Sequence, residues 1–123
     1  MKIYISTGLN KKFSTSKLLS KFRSNNIKNL ELSSGLYERD ILKKLKKEKK
    51  INLLLHNYFP VPKKPFIINL ASTNNEVFKR SFKQLKKAIL YSSLLKLKYF
   101  SFHAGFLFNP NIKDLGKKFA KVK

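Results

Sequence analysis

The sequence contains no cysteine among its 123 residues. Disulfide bonds and thiolate metal sites are therefore excluded, and the composition suits a reducing compartment. Long apolar runs are also missing, since no stretch approaches the roughly 20 residues that span a bilayer. The N-terminal MKIYISTGLNKKF lacks the apolar core of a signal peptide. These absences predict a cytoplasmic protein with no membrane partner.

Acidic residues and arginines are scarce. Six Asp and Glu against 28 Lys and Arg give a formal net charge of +22, and only three of the basic residues are arginine. A positive field attracts phosphates without sequence preference, but Arg is favoured over Lys for bidentate phosphate and base contacts. Many lysines also fall opposite apolar helix positions, as in ILKKLKKEKK. The charge therefore predicts only weak, non-specific binding to nucleic acid.

Apolar residues make up 42% of the chain, and they include 11 Phe and 5 Tyr. This content favours a packed fold over disorder. No linker divides the chain, so residues 1–123 are predicted to form one domain.

Segments with strand character alternate with helical patterns. A Ser/Thr-rich start at 14–16 is a predicted N-cap before Leu18, Leu19 and Phe22. The longest predicted helix covers about 74–96, with Asn74 or Asn75 as its cap. Phe78, Phe82, Leu85, Ile89 and Leu95 form its wide apolar stripe. The predicted strands are 2–6, 28–33, 51–56 and 98–103, and a further helix is predicted at 37–49.

This alternation predicts βα units and a parallel sheet. Ligands collect at the carboxyl ends of parallel strands, and His56 and His103 end two consecutive strands. If those strands are neighbours, about 4.8 Å apart, both imidazoles reach one ligand or metal ion. Spacing alone leaves two interpretations open: a shared metal, or polar strand-end residues without a ligand.

Short motifs in this order resemble the xylose isomerase-like TIM-barrel family, which comprises sugar phosphate isomerases/epimerases and is related to endonuclease IV. The resemblance runs from the first strand to just past the fourth. The motifs are ELSSG at 31–35, H-x-Y at His56 and Tyr58, NLAS at 69–72, Arg80 and Ser81 in the long helix, and F-H-x-G at 102–105.

The resemblance implies a role for each matching position. His56 and His103 correspond to metal-site histidines, so a divalent metal (Zn, Mn or Co) is implied, with an incomplete ligand set in this chain. Glu31 corresponds to an acidic position of variable role and is a candidate substrate contact. Tyr58 and Asn69 lie in a loop over the mouth. For both, substrate contact competes with a purely structural role.

The chain departs from the family in supplying four strands, whereas a complete barrel has eight. Leu115 and Phe119 would begin a fourth helix. The fold class implied is α/β, the N-terminal half of a TIM barrel, and the rest of the metal ligands and the proton-moving carboxylates would come from the absent half. No catalytic residue is identified, so enzymatic activity of this chain alone is left open.

Three functions follow as alternatives. The first is a truncated or split sugar phosphate isomerase/epimerase-like protein that needs a second half for metal-dependent isomerisation of a sugar or sugar phosphate. The second is an endonuclease IV-like DNA-repair or nucleic-acid-binding protein, and the third is an inactive fragment. The unpaired edges of a half-barrel predict self-association or pairing with a chain that carries the second half, and a marginally stable, association-prone monomer is the remaining alternative.

Overall fold

Short β-strands alternate with helices along the chain in a computed structural model that describes residues 2–8 and 12–114, with side chains as far as Lys113. The fourth helix predicted from Leu115 and Phe119 lies outside these residues. No helix within them is long and apolar enough to cross a bilayer. The elements are β1 Ile5–Ser6, α1 Thr15–Ser24, β2 Asn29–Leu32, α2 Ile41–Lys46, β3 Asn52–His56, α3 Asn75–Leu94, β4 Phe100–Ser101 and a 3-10 turn Ile112–Asp114.

The four strands form one sheet in the order β1-β2-β3-β4, and every neighbouring pair is parallel. The central pair is the longest, running from Asn29 opposite Asn52 to Leu32 opposite Leu55. Each outer strand adds only two residue pairs. The predicted α/β fold with a four-stranded parallel sheet and βα units is confirmed.

The core lies between the helices and one face of the sheet. Leu30 and Leu32 of β2 and Leu55 of β3 are almost completely buried there. Strand side chains alternate between faces, so Glu31 and His56 belong to the opposite face. The other buried members of the core are Leu19 of α1, Ile41 and Leu45 of α2, Ile51, and Phe59 in the loop after β3.

Two helices begin where the sequence predicts. Ser14 caps α1, and its side chain accepts a hydrogen bond from Lys17 N. Asn74 caps α3, and its Oδ1 accepts from Glu76 N at 3.0 Å and from Val77 N at 3.1 Å. Each cap occupies backbone N–H groups that have no partner within the first helical turn.

Other predicted boundaries are too wide. Helix α2 was expected over 37–49 but begins at Ile41, because Asp40 has a left-handed backbone (φ 56°, ψ 23°) that a helix cannot include. Strand β4 was expected over 98–103 but stops pairing at Ser101, since β3, its partner among the described residues, ends at His56. Strand β1, expected over 2–6, pairs at two positions only.

The side chains on the buried side of α3 are small or polar. Ser81 Oγ accepts a hydrogen bond from Asn69 N at 2.9 Å, and Gln84 Nε2 donates to Pro60 O at 2.8 Å. Ala88 is completely buried on the same side. These side chains satisfy backbone groups of the loop that α3 covers, which an apolar face could not do.

The apolar stripe predicted for α3 does not coincide with this buried side. Phe78, Phe82 and Ile89 are 40%, 46% and 49% exposed. The rings of Phe78 and Phe82 stack on each other with centroids 5.9 Å apart. Leu85 is half-buried, and only Leu95, just past the helix, packs against the core. The stripe therefore flanks the buried side and leaves an apolar strip on the surface.

This arrangement predicts that substitutions at two adjacent positions of α3 have very different effects on the free energy of unfolding. Ala88→Leu should destabilise the protein by about 1–3 kcal/mol, because the extra carbons have no space in the packed face. Ile89→Ala should change the free energy of unfolding by no more than about 0.5 kcal/mol, since that side chain is half exposed. Urea unfolding of both variants measures this. A larger loss for Ile89→Ala than for Ala88→Leu would mean that the sequence stripe faces the core.

Candidate functional site

Polar side chains converge at the carboxyl edge of the sheet. His56 is the last residue of β3, and Ser101 is the last residue of β4 and its direct partner in the register. His103 follows two residues later, so alternation along an extended chain returns it to the same face. Glu31 of β2 belongs to this face too, and its carboxylate reaches the Ser101 hydroxyl.

The two histidines of the chain lie side by side. Their ring centroids are 4.8 Å apart and the rings meet edge to face at 71°. The side chain of His56 is 18% exposed, whereas His103 is exposed. The two histidines are 47 positions apart in the sequence, and the parallel register of the strands brings their imidazoles into contact at the sheet edge.

A hydrogen-bond network holds one of the two rings. His56 Nδ1 and Ser101 Oγ are 2.8 Å apart, and Ser101 Oγ donates to Glu31 Oε1 at 3.1 Å. The direct distance from His56 Nδ1 to Glu31 Oε1 is 3.6 Å, beyond ordinary hydrogen-bond length. Three neighbouring strands thus contribute one polar side chain each to a single cluster.

The cluster has two opposed effects on the pKa of His56. Burial lowers the pKa of this imidazole below its ordinary value, because a low-polarity environment disfavours the charged form. The Glu31 carboxylate raises it, and nearby His103 lowers it further. The net pKa is lowered, so His56 is more strongly biased towards the neutral imidazole than a free histidine.

A cavity of about 560 Å³ opens beside the histidines. His56 and His103 line it together with Asn57 and Tyr58, while most of its other walls are apolar or backbone. No lysine or arginine is among its described lining residues. These other residues are Gly8, Ser33, Ser34, Gly35, Leu36, Val61, Pro65, Phe66, Ile67, Ile68, Phe106 and Ile112.

Tyr58 lines this cavity but its hydroxyl is already engaged. The hydroxyl oxygen accepts a hydrogen bond from Phe66 N at 2.8 Å and thereby fixes the loop after β3. Burial raises the pKa of the Tyr58 phenol, and the backbone hydrogen bond and Arg80 partly offset the rise. The phenol therefore stays protonated at neutral pH.

Asn69 does not line the histidine cavity, and its side chain is used by the chain itself. Its Oδ1 accepts from Ala71 N at 3.2 Å and from Phe106 N at 2.9 Å. Its Nδ2 donates to Phe108 O at 3.1 Å and to Asn109 Oδ1 at 2.9 Å. The residue is 1% exposed. These contacts tie the loop after β4 to the loop before α3.

A hydroxyl cluster occupies the same edge at β1 and β2. Buried Thr7 Oγ1 accepts from Ser33 N at 2.9 Å and from Ser34 N at 3.2 Å, and it donates to Ser34 O at 3.1 Å. Ser6 Oγ and Ser33 Oγ are 3.0 Å apart. This cluster fixes the two strand ends beside the cavity, and neither it nor Ser101 was selected as a site from the sequence.

Metal-ligand candidates are limited to the histidine pair and its neighbours. Within residues 2–8 and 12–114, no group of three or more His, Cys, Asp or Glu side chains is arranged to hold a metal ion. Two imidazoles are fewer than the three protein ligands usual in a catalytic zinc site. A metal role for His56 and His103 therefore stays a prediction.

Gly105, two residues after His103, makes the contact between the loop after β4 and Asn69 possible. A Cβ at Gly105 would collide with Asn69 Oδ1 and would lie 2.9 Å from Ala71 N, and φ here is +155°. Gly105→Ala should therefore cost at least about 1 kcal/mol of stability and displace the loop that carries His103.

Gly8→Ala is the matched control, since among the residues that the structure describes a Cβ there would meet only the Ser33 and Ser6 hydroxyls, at 3.3 and 3.4 Å. Urea unfolding compares stability, and NMR chemical shifts of the His103 ring report the loop. Equal effects of the two substitutions would contradict the close approach at Gly105.

Comparisons with models of protein families, with curated proteins and with solved structures found no match to this chain. The structure establishes the fold class of the chain, which is an α/β fold with a four-stranded all-parallel sheet built from βα units.

Proposed function

We propose that the chain is part of a sugar phosphate isomerase/epimerase-like barrel, which isomerises a sugar or sugar phosphate once further strands complete it. The sequential parallel order β1-β2-β3-β4 is the order of successive βα units in such a barrel. The observation that carries the proposal is the contact between His56 and His103 at the carboxyl edge, beside a cavity of about 560 Å³.

The histidine pair suits a divalent metal in its chemistry. Zn²⁺, Mn²⁺ and Co²⁺ bind neutral imidazole, and the lowered pKa of His56 favours the neutral form. Metal-ligating histidines usually donate their other ring N–H to a carboxylate, a backbone carbonyl or water, and His56 can donate the N–H of Nδ1 to the Ser101 hydroxyl in the same way. When bound, such a metal polarises substrate oxygens, while a carboxylate on a further strand would move the proton.

Completion of the barrel requires partners at both outer strands. Within the described residues, β1 pairs only with β2, and β4 pairs only with β3. Apolar side chains beside these edges are exposed, including Ile3, Tyr99 and Phe102. Unpaired edges with apolar neighbours favour association with another strand. A second copy or a chain carrying further strands fits these edges.

Metal binding by the chain alone should be weak and should depend on both imidazoles. His56→Ala or His103→Ala should remove measurable binding of Zn²⁺ or Co²⁺, since each deletes one of two nitrogen ligands. Neither substitution should unfold the protein, because both side chains lie outside the apolar core. Isothermal titration calorimetry measures the affinity and circular dichroism checks the fold.

Asn52→Ala is the control for these variants, since Asn52 is a polar residue at the other end of β3. It should retain the affinity of the unsubstituted chain. Metal affinity that survives both histidine substitutions would refute a shared metal at this edge.

A nucleic-acid-binding function of endonuclease IV type is the second candidate, and the net charge of +22 favours it. Lysines supply most of that charge, and the cavity beside the histidines has no described lysine or arginine in its lining. Charge without a cationic site predicts attraction to phosphates in general. An inactive fragment is the third alternative. It would show no binding to nucleic acid beyond this general attraction to phosphates, and it would have no metal site.

Duplex DNA should therefore bind weakly and lose affinity steeply with salt. Raising salt from about 50 to about 200 mM should lower the affinity about tenfold for every two phosphates contacted. Fluorescence anisotropy with an intact duplex and a matched duplex containing an abasic site measures this. Tight binding at the higher salt with preference for the abasic duplex would favour the endonuclease IV-like function instead.

A further inference from the structure

The hydroxyl of Ser101 links a carboxylate to an imidazole. Its oxygen is 3.1 Å from Glu31 Oε1 and 2.8 Å from His56 Nδ1. The carboxylate and the imidazole are themselves 3.6 Å apart, so the short contacts run through the serine. A hydroxyl has one proton with which to donate a hydrogen bond and lone pairs with which to accept one. Ser101 can therefore make both contacts together only by donating in one of them and accepting in the other.

The direction follows from the chemistry at the ends of the network. A carboxylate only accepts hydrogen bonds, so the Ser101 proton must point to Glu31. The Ser101 oxygen is then left as an acceptor towards the ring, and His56 Nδ1 must carry a proton. In a neutral imidazole the other nitrogen, Nε2, then has the lone pair.

We propose that Glu31 and Ser101 are positioning residues that fix His56 as the Nδ1–H tautomer, with the Nε2 lone pair available as the metal-ligating atom of the cavity. The role as a metal ligand rests on the proposed function, whereas the tautomer does not. His56 Nε2 has no hydrogen-bond partner among residues 2–8 and 12–114, and His56 lines the cavity beside His103.

The register of the sheet explains why these three side chains meet. His56 is paired with Ser101 on β4, while Glu31 is paired with Leu54, two residues before His56 on the same face. Glu31 thus reaches across β3 beside the His56 ring, and the gap of 3.6 Å between their polar atoms is bridged by the hydroxyl of the third strand. Removing that hydroxyl leaves Nδ1 without a hydrogen bond of normal length within the part of the chain that the structure describes.

Long-range ¹H–¹⁵N correlation spectra of the ¹⁵N-labelled protein separate the two imidazole tautomers, and His56→Gln and His103→Gln assign the signals. The unsubstituted protein should show His56 with a protonated Nδ1 and an unprotonated Nε2. Ser101→Ala should shift the population towards the Nε2–H form, which free histidine favours. Ser101→Thr, which keeps the hydroxyl, should restore the Nδ1–H form.

Ser6→Ala is the matched control. Ser6 contributes a hydroxyl at the same sheet edge, bonded to Ser33, without contact to His56, so its loss should leave the tautomer unchanged. Glu31→Gln provides a second variant if Ser101→Ala does not fold, because the amide can reverse the Ser101 hydroxyl and should yield a mixture of tautomers. A purely structural role of Ser101 would change stability without changing these populations.

Titration of the same sample with Zn²⁺ tests the ligating atom, and the Nε2 resonance of His56 should move while Nδ1 stays protonated. An Nε2–H tautomer in the unsubstituted protein, or a tautomer unaffected by Ser101→Ala and Glu31→Gln, would overturn the positioning role. Failure of Zn²⁺ to move any imidazole nitrogen, with the Nδ1–H tautomer present, would count against the metal function and the ligating role of Nε2 but leave the positioning role supported.

Discussion

The parallel pairing of β2 with β3 is the constraint on which the rest of the structure depends. Its register sets Leu30 beside Leu53 and Leu32 beside Leu55 on the helix-covered face. A one-residue slip of either strand would turn that strand's leucines outward and its polar residue, Glu31 or His56, into the core. The burial of the leucines therefore fixes the position of the polar cluster on the opposite face of the sheet.

Features governed by local physics could be predicted from the sequence. The caps Ser14 and Asn74 were predicted because a side-chain oxygen before an apolar pattern satisfies nearby N–H groups whatever the tertiary fold. The parallel order and the convergence of His56 with His103 followed from the alternation of elements, since parallel strands end at one edge. These predictions needed no knowledge of particular side-chain contacts.

Features governed by tertiary demand could not be predicted in this way. The loop from β3 to α3 places backbone groups under the helix, and Ser81 and Gln84 face inward to satisfy them. Because Ser81 and Gln84 occupy the inward face of α3, Phe82 and Ile89 lie at the surface, although their hydrophobic pattern predicts burial. Ser101 was missed for a similar reason, although one signal existed: in YFSFH it stands two positions before His103, on the same face of an extended chain.

The short pairing of β4 has a consequence for how the site opens and closes over time. Only Phe100 and Ser101 pair with β3, whereas the central strands pair over four positions. Segments with few ladder contacts exchange their amide protons through local opening at lower free energy than global unfolding. Detachment of β4 would separate Ser101 and His103 from His56 while Leu30 and Leu55 remain packed. Amide protection in this protein should therefore be graded, with the cluster dissolving in a sub-global event before the core exchanges.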